Sequence, residues 1–99
     1  MRDATPITIR RSTAADRATL ERLAALDSAP MPTGEVLMAE LGGEAAGAIE
    51  VASGATIADP FRPTAELVEL LRVRAVRLRG GAAARRRPRL RPRAAYRAV

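Results

Sequence analysis

A chain of 99 residues that is 47% hydrophobic can bury one small core. Its only aromatics are Phe61 and Tyr96, so that core is built from Leu, Val, Ile and Ala, and its stability is expected to be modest for the length. Cysteine and histidine are both absent, which excludes disulfides, thiol nucleophiles, histidine acid–base chemistry and ordinary zinc sites.

The formal charge of +6 is unevenly placed. Residues 1–79 hold ten arginines against all eleven acids, whereas residues 80–99 hold seven arginines and no acid. The expected organisation is a near-neutral domain over 1–79 carrying a basic tail over 80–99. Every basic residue is Arg and none is Lys, a bias that GC-rich coding explains as readily as a need for guanidinium chemistry. Met1 is followed by Arg2 and Asp3 without an apolar run of signal-peptide length. No stretch approaches the ~20 apolar residues of a membrane span, so a cytoplasmic protein is expected.

In chain order, Ile7 to Arg11 alternates apolar and polar residues around two β-branched isoleucines and predicts a strand with Ile7 and Ile9 facing a core. Thr13 is a good N-cap for a helix over about 14–26, with Asp16 favourable at its positive end. Leu20, Leu23 and Ala24 form the apolar stripe of that helix, and Arg17 and Glu21 are an i,i+4 pair on its solvated face. Two prolines in Ser28 to Gly34 make a loop. Glu35 to Leu41 is apolar on both faces and suits an interior strand. Gly42-Gly43 signals a two-residue hairpin turn, and Glu44 to Ala52 returns as the partner strand. Gly47 within it marks a bulge or a close backbone approach.

Ser53-Gly54 turns again into a short strand over Ala55 to Ala58. Left as an exposed edge, that strand favours pairing with another chain, which gives a homodimer as an expectation. Asp59-Pro60-Phe61-Arg62-Pro63 is a rigid connector, and Thr64 caps the longest helix. Leu67, Leu71, Ala75 and Leu78, widened by Val68, form the buried face of that helix. Gly80-Gly81 is expected to stop it. The remainder, with seven like charges, two prolines and almost no apolar content, predicts a disordered segment. The fold class is therefore α+β: a small, mostly antiparallel sheet of about four strands with two flanking helices, in the order β-α-β-β-β-α.

This order resembles the N-terminal half of the GNAT acetyltransferase superfamily. Ile9-Arg10-Arg11-Ser12-Thr13-Ala14-Ala15-Asp16 is similar to the family's opening "I-R-x-A-T-x-x-D". Val36 to Val51 resembles its central hairpin, with Gly43 and Gly47 in a "G-x-x-x-G" spacing. The likeness runs over Ile7 to Leu26 and Val36 to Val51, somewhat under half of the domain over 1–79; both are signals of fold, not of chemistry. The resemblance implies acetyl-CoA as cofactor, with its pyrophosphate held by backbone amides in the turn after the fourth strand. The family's pattern there is Arg or Gln, two residues, Gly, one residue, then Gly or Ala. The matching stretch, Asp59 to Glu66, has no glycine, and its two prolines remove two N–H donors. The family's later strands and helices have no counterpart, and Tyr96 in the tail does not take the role of the family's tyrosine acid. The resemblance thus implies a shortened GNAT-like half-domain lacking the pyrophosphate motif and without acyl transfer. If active, it would move an acetyl group from acetyl-CoA to an amine.

The remaining candidate for anion or cofactor binding is the helix start, with the guanidinium of Arg62, the cap Thr64 and the amides of Ala65 and Glu66. The plainer alternative makes Thr64 an ordinary cap and Arg62 a solvated loop residue. No catalytic residue and no metal ligand set is assigned: register places Glu40 opposite Ala45, so Glu40 and Glu50 are not opposed. The arginines of 80–99 are expected either to attract nucleic acid nonspecifically through its phosphates or to be compositional, since aromatic interleaving for base stacking is absent.

Overall fold

The computed structural model describes residues 5–86, the last five by backbone alone. The chain forms β1 (Ile7–Arg11), a single 3-10 turn (Ala14–Asp16) leading into α1 (Arg17–Leu26), β2 (Val36–Leu41), β3 (Glu44–Glu50), β4 (Thr56–Ala58) and α2 (Ala65–Arg86). The strands make one antiparallel sheet in the order β1-β2-β3-β4. The expected α+β class and element order are observed. No helix among the described residues is long and apolar enough to cross a membrane.

The sheet is covered on both faces, which explains why β2 shows no polar alternation. Leu37, Ala39 and Leu41 of β2 pack with Leu67, Leu71 and Ala75 of α2, together with Ile49 and Val51. Val36 and Met38 turn to the opposite face and meet Leu20, Leu23 and Ala24 of α1, with Ala48 and Ile57. Ile7 and Ile9 lie half-buried against the α2 layer. Each helix presents the stripe its periodicity dictates.

Gly42 and Gly43 both have positive φ, +63° and +89°, as a two-residue hairpin turn of this hand requires. They set the register Leu41↔Glu44 and Glu40↔Ala45. The register then shifts: Ala39 pairs with Gly47, leaving Ala46 as an extra residue on β3. This bulge inverts the parity of the strand. Ala45 and Ala48 face α1, whereas Ala46 and Ile49 face α2. A Cβ at Gly47 would lie 2.7 Å from Leu67 Cδ2 and 3.2 Å from the Ile57 carbonyl oxygen. The glycine is therefore both beside a bulge and in close contact, as the sequence suggested.

One helix boundary differs from expectation. α2 does not stop at Gly80-Gly81 but continues through both to Arg86. Two glycines cost about 1 kcal/mol each relative to Ala, but Ala82, Ala83, Ala84 and the arginines after them are among the strongest helix formers. The disorder expected for the rest of the tail concerns residues 87–99, which lie outside the described residues.

Candidate functional site

The connection from β4 into α2 is the place to look for a ligand, because a strand there delivers the chain to a helix N-terminus. Asp59 follows β4 and is buried, with 9% of its surface exposed. Its amide donates to the Ala46 carbonyl at 2.9 Å, continuing the ladder for one more step. Its carboxylate Oδ1 accepts the amide of Phe61 at 2.9 Å, and its carbonyl accepts the amide of Arg62 at 3.3 Å. Asp59 thus closes a turn on itself, the usual role of an Asp before Pro. Pro60 and Pro63 have no amide hydrogen to offer. Phe61 stands at the tip, 82% exposed.

Arg62 is not a solvated loop residue. Its side chain folds back across the sheet end and is only 27% exposed. Nη1 donates to Glu44 Oε1 at 3.0 Å and Nη2 donates to the Leu41 carbonyl at 3.1 Å. It ties the junction to the β2–β3 hairpin. Thr64 occupies the cap position, its carbonyl accepting the Val68 amide at 2.9 Å in the first turn of α2. Ala65 and Glu66 open the helix and are exposed.

Beside this connection lies an open groove of about 490 Å³, lined by Thr19 and Arg22 of α1, Glu44 and Ala45 of β3, Asp59 and Arg62. Of the four residues singled out in the sequence, it takes in Arg62 alone. Thr64, Ala65 and Glu66 do not line it. The groove carries two guanidinium groups and two carboxylates. Arg62 is committed to Glu44, and Asp59 to its own turn. No group of three or more acids among the described residues is arranged to hold a metal ion.

Glu40, Asp16 and Glu50 are also spoken for. Glu40 Oε2 accepts from Arg10 Nε at 3.2 Å, and the rest of that guanidinium grips Asp16 with two bonds of 2.9 Å. Asp16 in turn accepts the Thr13 amide at 2.7 Å and completes a capping box. The Arg10 guanidinium and the Thr13 amide hold the Asp16 carboxyl well below the usual carboxylate range. Glu50, paired with Val36, accepts from the hydroxyls of Ser53 and Thr33 and from the Thr33 amide. These donors, Ser53 first, lower its pKa to about 2. Glu40 and Glu50 are separated along the hairpin, as their register required.

The sequence did not reveal the partners of Arg62 or the Arg10–Asp16–Glu40 cluster. Both link residues far apart in the chain, and the only local hint was Asp16 three positions after its cap. Comparison of the chain with protein-family models, with curated proteins and with solved structures found no match.

Proposed function

We propose that this chain is a GNAT-related domain that does not transfer acyl groups and whose β4–α2 junction is a structural clasp with at most weak affinity for acetyl-CoA or other anions. The observation that carries this reading is the commitment of the junction's polar groups. The amides of Phe61 and Arg62 bond to Asp59, and the Arg62 guanidinium bonds to Glu44 and to the Leu41 carbonyl. A pyrophosphate reaching for the Phe61 and Arg62 groups would have to displace these bonds, and at the amides of Ala65 and Glu66 it would meet the Glu66 carboxylate in the first turn. The order of strands and helices and the opening Ile9 to Asp16 segment support the GNAT relationship.

A thermal-shift titration tests it. No saturable rise in midpoint is expected up to about 1 mM acetyl-CoA, at which a ligand with a Kd of about 10 μM would add about 2.7 kcal/mol. A saturating rise that Arg62→Ala abolishes would overturn the reading. One that survives Arg62→Ala would place a cofactor site away from this junction and would overturn it equally.

The charge segregation favours a second reading, in which the domain is a platform for a nucleic-acid-binding arm. α2 carries Arg72, Arg74, Arg77 and Arg79 and continues without a break into the basic segment. Mixed-sequence DNA is expected to bind with strong salt dependence. Replacing the seven arginines of residues 80–99 by Gln should flatten a log K against log salt slope of up to about −6. An unchanged slope in that variant would remove this reading.

A further inference from the structure

The outer face of α2 holds an apolar stripe that the described residues leave exposed. Leu70, Val73 and Val76 recur every three residues on the side of the helix away from Leu67, Leu71 and Ala75, and they are 41%, 50% and 56% exposed. The polar residues at the two ends of the stripe differ in sign, while Arg72, 3.8 Å from Glu69, flanks it on the Val76 side. Glu66 and Glu69 stand at its N-terminal end, and Arg77 stands at its C-terminal end, followed by Gly80. A second copy of this chain complements that pattern in one orientation only. Parallel α2 helices would stack acids on acids and arginines on arginines. Antiparallel helices related by a two-fold axis at Val73 set Leu70 beside Val76 of the other copy and Val73 against its counterpart. The same arrangement brings the acidic end of each helix against Arg77 of the other. Gly80, with open space where its side chain would be, lets the backbones approach at the ends.

We propose that the chain self-associates through this face, as an antiparallel, two-fold pair of α2 helices. The sheet edges fit a second copy less well. β4 has three residues, and because Asp59 donates inward to Ala46, the neighbouring Ala58 amide points outward, where Oδ2 of Asp27, the residue that follows α1, accepts it at 3.1 Å. The β1 edge presents Arg10 and Arg11, charges of the kind that blunt an edge. One pair of helix faces is smaller than a standard interface of roughly 1,600 Å², so the dimer is weak and concentration-dependent. This inference goes beyond the reading of the β4–α2 junction and does not depend on it.

Sedimentation of the full chain from about 10 μM to about 1 mM tests it. A monomer–dimer equilibrium is expected in that range. Val73→Glu, which puts two carboxylates on the axis, is expected to weaken association about tenfold or more while leaving the helical circular dichroism unchanged. Arg77→Glu should weaken it similarly, and adding Glu66→Arg and Glu69→Arg to Arg77→Glu should restore it. A chain that stays monomeric at about 1 mM would overturn the proposal. So would a dimer indifferent to Val73→Glu, which would locate the contact elsewhere, at a sheet edge for example. Failure of the triple variant to recover would overturn the antiparallel arrangement.

Discussion

Gly47→Ala is expected to destabilise the protein by about 1–3 kcal/mol, the range for overpacking a tight site. A substantial part of that loss is expected to disappear when Leu67 is also replaced by Ala. The new methyl would lie 2.7 Å from Leu67 Cδ2. Leu67 is fully buried among β2, β3 and α2 and has little room to yield. Leu67→Ala alone removes that side chain from the core and is expected to cost about 2–5 kcal/mol. Against a total of about 5–15 kcal/mol for a domain, either change is large. Urea unfolding of the two single variants and the double variant closes the cycle. Because the glycine and the leucine touch, the two losses should not add: the double variant should be more stable than their sum by about 1 kcal/mol or more. Strict additivity would show that α2 does not rest on the β3 bulge as described. The Ile57 carbonyl, 3.2 Å from the same methyl, sets a residual cost that Leu67→Ala cannot relieve.

Asp16→Ala is expected to be the most damaging change to a polar residue, at about 2 kcal/mol from the lost capping box and the lost charge-assisted bonds to Arg10. The Asp16 side chain is only 12% exposed, but that of Arg10 is 39% exposed, so water screens the pair and keeps the figure below that of a fully buried ion pair. The acid dependence of stability follows from the same bonds. The folded-state pKa values of Asp16 and Glu50 are both lowered. Their contributions are therefore complete above the unfolded carboxylate values of about 3.9 and about 4.3, and are lost as pH falls below them. For Glu50 that loss runs down to a pH of about 2. The thermal midpoint of the wild-type chain should fall steadily between about pH 5 and about pH 2, and Asp16→Ala should show a shallower fall over the same window. A variant whose midpoint tracks that of the wild type in parallel would show that Asp16 is not held by Arg10 in the folded state.

Much of this fold was legible because its signals are local. The alternation at Ile7 to Arg11, the stripe Leu20, Leu23 and Ala24, the Gly42-Gly43 turn and the stripe Leu67, Leu71 and Ala75 each fit within one or two turns or a few strand residues. The two-sided apolar character of Glu35 to Leu41 marked an interior strand covered on both sides. Gly47 announced a close approach, although not that Leu67 would be its neighbour. The end of α2 was misplaced because Gly80-Gly81 carries a strong local stop signal, and the alanines after it, which continue the helix, were assigned to the tail. The partners of Arg62 could not be found from spacing. Glu44 is eighteen residues away and meets it only because the hairpin and the junction end at the same side of the sheet. Sequence alone left Arg62 as either an anion ligand or a solvated residue. The fold gives it a third role, as the bolt between the junction and the hairpin.

Amide-resolved NMR during titration with acetyl-CoA reads that role at the residues concerned. The amides of Phe61, Arg62, Ala65 and Glu66 are expected to keep their positions up to about 1 mM ligand, while any weak, unsaturated drift is spread over exposed arginines. A saturable perturbation centred on those four amides would contradict it, because the junction would then hold an anion despite the bonds that Asp59, Glu44 and the Leu41 carbonyl accept from Phe61 and Arg62.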